Sequence, residues 1–171
     1  MDSRASYLAV IGEREALAWV LRESRMAFPA TRRSEVDRLA VGDELFLLTT
    51  RGCFHNPSRD RTRVVGHTVV ASPVVLLDPP VEVAGRTFPR GCDLQLTALA
   101  PYLTGVELGA LVPRLDAFPD AATWSIRLRR PLVALSRRDV DLVAERLGTV
   151  AGPPQSSLEG YLDRIKPVGR S

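Results

Sequence analysis

A chain of 171 residues with 45% hydrophobic and 25% charged side chains sits near the globular average, which excludes a disordered chain and a membrane class. That length fits one domain able to hide roughly 70% of its unfolded surface without staples. A formal net charge of +3 is only mildly basic, and Lys166 is the sole lysine. An arginine bias suits phosphate binding and equally follows from a GC-rich genome.

Tyr7 to Ile11 reads as a first strand. Glu13 to Ser24 follows as a helix, with Ala16, Leu17, Val20 and Leu21 on one face and Trp19 flanking it. Phe28, Pro29 and Ala30 force an extended connection, because proline disfavours a helical residue before it. Ser34 caps a single helical turn, and Val41 to Asp43 turns the chain into a strand over Leu45 to Leu48. Residues 51–63 form a long, polar, arginine-rich loop.

Val64 to Leu77 is almost continuously apolar, so its strands need cover on both faces, with Gly66 and Pro73 marking bulges or bends. A hairpin turns at Gly85, and Cys92 to Leu96 alternates as a half-buried strand does. The spacing predicts a helix over Val106 to Leu115 and a strand over Ser125 to Leu135, broken at Pro131. Ser136 to Asp139 has capping-box spacing before a helix that presents Val140, Val143, Ala144 and Leu147. After Gly148 a linker leads to a short helix at Leu158 to Ile165, which docks on the domain or on a partner.

No run approaches the roughly 18 apolar residues of a spanning helix, and Met1 to Ser6 lacks a basic start leading into a hydrophobic segment. A cytoplasmic location without membrane contact is expected. Cys53 and Cys92 are then expected to remain thiols.

The order helix, Trp124, basic strand, capped helix over Leu111 to Leu147 resembles the C-terminal half of EVE domains, relatives of the PUA fold. Tyr7 to Gly12, Met26 to Thr31, Leu39 to Asp43 and Glu44 to Thr50 match the N-terminal half, so the resemblance covers most of residues 7–147. Each motif is short and degenerate; order and spacing carry the match. It implies an α+β domain over residues 1–147, a PUA-like mixed β pseudobarrel flanked by helices, followed by a linker and helical tail over 148–171.

The resemblance also implies a pocket between the first helix, the segment after it and the neighbouring strand, where related domains accept a flipped, modified base. The positions matching that pocket are Phe28, Pro29, Ala30, Thr31, Thr49, Thr50, Arg51 and Trp124. A reader that must see a small group on one base takes the base out of its stack and recovers that cost by stacking and hydrogen bonding. Phe28 or Trp124 supplies the ring and Thr49 or Thr50 a hydroxyl, although an isolated tryptophan opening a strand is more often core. Where many EVE domains carry aromatic residues, this chain has Leu47 and Leu48.

Arg25, Arg32, Arg33, Arg59, Arg61 and Arg63, with Arg51, bracket this pocket in sequence and are candidates for phosphate contacts; a solvated loop surface is the alternative. Cys53, His55, His67 and Cys92 lack the spacing of a zinc site, so no metal is expected. No nucleophile elbow, phosphate loop or metalloprotease motif is present, and no catalytic residue or cofactor is assigned.

The expected function is therefore a non-catalytic module binding DNA or RNA and reading a modified base. One alternative is a regulatory scaffold whose tail docks a protein partner. The other is an ASCH-like amidohydrolase or nucleoside-ligand protein, for which the lone Lys166 sits far from the pocket in sequence.

Overall fold

The computed structural model describes residues 4–31 and 33–165. Arg32 and Lys166, named above, lie outside the described residues.

A parallel pair forms the centre of the sheet. β1 (Ser6–Ile11) runs alongside β3 (Glu44–Thr49), so the carboxyl ends of both strands reach the same edge, Ile11 opposite Thr49. All other pairings are antiparallel: β3 with β4 (Arg63–Val70), β4 with β6 (Arg86–Leu99), β6 with β2 (Arg25–Phe28), and β1 with β8 (Leu132–Leu135). β5 (Val75–Val83) pairs with β6 as a long hairpin, and β7 (Val106–Glu107) adds to β4. The result is an eight-stranded, mixed, curled sheet flanked by helices, the PUA-like pseudobarrel that the resemblance implies.

Both faces of the central strands are buried because apolar side chains occupy nearly every position of Tyr7–Ile11 and Leu45–Leu48. Along β1, Tyr7, Ala9 and Ile11 enter one core and Leu8 enters the other; along β3, Leu45 and Leu47 part from Phe46 and Leu48 in the same way. The first core is covered by α1 (Arg14–Glu23), by Val36 of α2 (Ser34–Asp37) and by α4 (Pro154–Arg164). The second is covered by α3 (Arg137–Gly148) and by residues 106–118.

Local chemistry explains the turns. Gly42 adopts φ +95, and the Asp43 carboxylate accepts the Ala5 and Ala40 amides at 3.0 and 2.9 Å, which locks the entry to β3. Gly66 sits beside a register shift between β3 and β4, where an added Cβ would approach the Ala98 carbonyl oxygen to 2.9 Å. Pro73 lies between β4 and β5, and the β5–β6 hairpin turns at Ala84 and Gly85. In α3 the capping box forms: the Ser136 hydroxyl accepts the Asp139 amide at 3.1 Å and the Asp139 carboxylate accepts the Ser136 amide at 3.2 Å.

Three expectations are corrected. Residues 106–115 form β7, turns and a single 3-10 turn at Val112–Arg114, not one helix. Leu108, Leu111, Val112 and Leu115 have helical spacing and are buried, yet Gly109 and Pro113 interrupt the hydrogen-bond ladder among them. Residues 121–129 form 3-10 turns that begin at an Asp120 cap, and only Leu132–Leu135, which follows Pro131 and pairs with Ser6–Ala9 of β1, is strand. Ser34 is the first residue of its helical turn, with Arg33 preceding it as the cap position.

α4 docks on the domain itself. Tyr161 is fully buried in the first core and donates its hydroxyl to the Ala100 carbonyl at 2.7 Å, while Leu99 and Gly152 form an isolated bridge that seats the approach to the helix. No helix among the described residues is long and apolar enough to cross a membrane.

Candidate functional site

The carboxyl end of β1, Val10 and Ile11, opens onto a cleft where α1 begins. From β2, Met26 and Ala27 line the cleft, whereas Phe28 is buried in the first core and does not. Gly12 and Glu13 form its near wall, Trp19 its side, and the β5–β6 hairpin folds over the top with Phe88 and Arg86. The enclosed space is about 70 Å³. The Arg86 guanidinium carbon lies 5.4 Å from the centroid of the Phe88 ring, a cation–π contact that holds a cation at the rim. Glu13 Oε2 lies 3.3 Å from His55 Nε2, which ties the 51–62 loop to the same wall.

This lining offers two aromatic rings, one carboxylate and one guanidinium, and no hydroxyl or thiol nucleophile. It can hold a flat, apolar group with a polar edge. Cys53 and Cys92 are free, buried thiols whose burial pushes their pKa up, to about 12 for Cys92, so both stay protonated.

The eight residues expected at the pocket are dispersed. Phe28 is 1% exposed and packed in the first core, whereas Trp124 packs against the second, with its ring centroid 6.2 Å from that of Phe118 at 83°. The sheet separates them, so they cannot wall one slot. Trp124 opens no strand; it sits in the 3-10 turns of residues 121–129. Thr49 is 1% exposed and faces the Arg63 carbonyl at 3.4 Å. Thr50 is half-buried, its amide on the Ile11 carbonyl at 3.2 Å, and Pro29, Ala30, Thr31 and Arg51 lie on the surface away from the cleft lining. The cleft lies beside the first helix and the segment after it, and none of these eight residues lines it.

Trp19 and Phe88 are the rings that sequence reasoning missed. The available signal was a tryptophan lying off the apolar stripe of α1; nothing local linked it to a phenylalanine in a distant hairpin.

The arginines divide by partner. Arg25 pairs with Asp93 at 3.4 Å, Arg61 donates to the Asp60 carbonyl at 3.1 Å, and Arg63 forms a close, largely buried ion pair with Asp60. Arg33 is half-buried at the start of α2. Arg51 and Arg59 are exposed on the loop without an ion pair among the described residues. The loop is anchored at two points, Cys53 and Asp60, both buried. Of the candidate metal ligands, His67 is engaged by Glu44 at 3.0 Å and by Thr97, while His55 has ligand-type atoms of Glu13 and Glu15 within 4.8 Å.

Known structures share this architecture. The YTH domain of Mmi1 in complex with RNA superposes with a TM-score of 0.58 at 11% identity, covering 85% of this chain and 79% of that one. Human THYN1 in complex with DNA containing 5-methylcytosine gives 0.54 at 12% identity, covering 82% and 96%. The YTH domain of Zygosaccharomyces rouxii MRB1 in complex with N6-methyladenosine RNA gives 0.54 at 11% identity, covering 85% and 87%. No family model and no curated protein matches the chain by sequence. At these identities the likeness concerns the fold.

Proposed function

We propose that the chain is a non-catalytic nucleic-acid-binding module whose cleft between Trp19 and Phe88 reads the edge of a modified base. The observation that carries this reading is the pairing of two aromatic walls with one acceptor, Glu13, and one donor, Arg86, at the carboxyl end of β1. Support comes from the fold, since proteins sharing it are known in complexes with RNA, methylated RNA and methylated DNA.

The size of the cleft sets what it reads. At about 70 Å³ it is roughly half of a cavity of about 150 Å³ that holds benzene, so it takes a substituted ring edge and not a whole purine. A methyl group between two rings gains apolar burial of about 0.8 kcal/mol, and the ring edge meets Glu13 or Arg86. Exposed Arg51 and Arg59 supply salt-dependent, sequence-tolerant attraction to phosphates. The reducing cytoplasm is the proposed setting, where Cys53 and Cys92 stay thiols.

Binding of short oligonucleotides with plain cytosine, 5-methylcytosine, plain adenine or N6-methyladenosine, measured across a salt series, tests this reading. One modified base is expected to bind several-fold more tightly than its plain counterpart, and Trp19→Ala or Phe88→Ala is expected to erase the difference. Equal affinity for all four in the unaltered chain overturns it.

A further inference from the structure

Across the 51–62 loop from the first cleft lies a second, larger one of about 210 Å³. Phe54 and Tyr102 wall it, ring centroids 5.4 Å apart at 87°. Tyr102 is braced from behind by Tyr161 at 5.4 Å and by the Arg164 guanidinium at 5.1 Å, so its ring is held before anything binds. Leu103, a large apolar side chain left 45% exposed, stands at the rim with Arg59.

Asp60 lines the floor with its side chain only 6% exposed. Its Oδ1 accepts the Arg61 amide at 2.8 Å and the Arg63 guanidinium, while its Oδ2 is buried and has no donor among the described residues. A buried carboxylate oxygen without a donor is costly, and such positions are normally completed by a partner. Arg63 already balances the Asp60 charge, which disfavours a cation, and the open oxygen repels an anion. The floor therefore calls for a neutral N–H donor, and the aromatic walls call for that donor to be carried on a flat ring.

We infer that this cleft is a second base subsite of the same nucleic-acid surface, selective for a base bearing an exocyclic amine. The ring lies against Tyr102 and Phe54, displacing Leu103 outward, and its amine donates to Asp60 Oδ2. Arg59 meets the adjoining phosphate. Adenine, cytosine and guanine carry such an amine; uracil presents a carbonyl oxygen there, which the carboxylate repels, and its ring N3–H lies between two such oxygens. The volume exceeds that of a cavity of about 150 Å³ that holds benzene, so a whole base fits. The inference rests on the nucleic-acid reading of the fold but not on the first cleft reading a modification.

The test compares an oligodeoxycytidylate with an oligodeoxyuridylate of the same length, about six nucleotides, by fluorescence anisotropy with the full chain at low salt. The two carry equal charge and differ at the exocyclic group. The cytidylate is expected to bind about tenfold more tightly, the net worth of one hydrogen bond. Asp60→Asn, which turns an acceptor toward the ligand into a donor, is expected to erase or reverse the preference. Because Asp60 also holds Arg63, Leu103→Trp serves as the second variant: it fills the cleft from an exposed position and lowers cytidylate affinity to the uridylate level. Equal affinity for the two oligonucleotides, or a preference that survives in a folded Asp60→Asn or Leu103→Trp chain, overturns the inference. A chain that separates cytidylate from uridylate but ignores base methylation keeps this subsite and loses the first-cleft reading; the opposite pattern does the reverse.

Discussion

Phe28 and Trp124 stand on opposite faces of one sheet, each packed into its own core. Neither ring is available to a base that the other touches. Trp124→Ala is accordingly expected to cost about 2 kcal/mol of stability through the lost contact with Phe118 and its neighbours, leaving oligonucleotide affinity within about twofold. Urea denaturation and anisotropy on the same preparation check both halves of that statement.

Arg86 carries a different expectation. It is exposed and touches the Phe88 ring from the rim of the cleft, so Arg86→Gln is expected to leave the melting temperature within about 1 °C. Its cost falls on binding, several-fold at low salt and less at high salt, because a charge is removed from the nucleic-acid surface. A melting shift with unchanged affinity contradicts the placement of Arg86 at the site.

Asp139 is a structural carboxylate. It is fully buried, and beyond its bond to Ser136 it accepts the Asp116 and Ala117 amides at 2.7 and 3.0 Å, fastening the 106–118 segment to the start of α3. Asp139→Ala leaves three backbone donors without their acceptor and is expected to cost about 3 kcal/mol or more, roughly 10 °C for a chain of this size. Calorimetry reads this directly, and a loss below about 1 kcal/mol contradicts the arrangement.

Cys53 and Cys92 predict the alkaline behaviour. Burial holds the Cys92 thiol at about 12, against an ordinary value of 9.0, and raises Cys53 in the same direction. The folded state keeps its protons longer than the unfolded one, so this contribution is complete below pH 9 and is lost as pH rises from about 9 toward 12. The slope approaches about 1.4 kcal/mol per pH unit for each buried thiol. Denaturation midpoints at pH 8, 9.5 and 10.5 are expected to fall in that order, and both thiols are expected to resist labelling at pH 8 until the chain unfolds.

Strands and cores were legible because β1, β3 and β4 are apolar at nearly every position, which demands cover on both faces, and because Ser136 and Asp139 hold capping-box spacing. The 106–115 segment was misread for a physical reason: Leu108, Leu111, Val112 and Leu115 are buried at helical spacing, and only the cost of Gly109 and Pro113 tells against a helix. At the cleft, the residues named from sequence are not the ones that line it. β2 alternates, which turns Phe28 inward, and the facing ring comes from Phe88, delivered by a hairpin whose packing no local pattern encodes. Asp60 and Tyr102 were invisible for the same reason, since their chemistry exists only once the loop and the turn after β6 meet.

The position of β1 has a consequence for how the chain is made. Its two neighbours are β3 and β8, paired through contacts as distant in sequence as Ser6 with Leu135, and Tyr161 of α4 enters the same core. β1, made before its partners, therefore waits half-partnered until β8 and α4 have been synthesised. Such remote closure makes for slow folding and a period in which an apolar edge stands open to chaperones or to a neighbouring nascent chain.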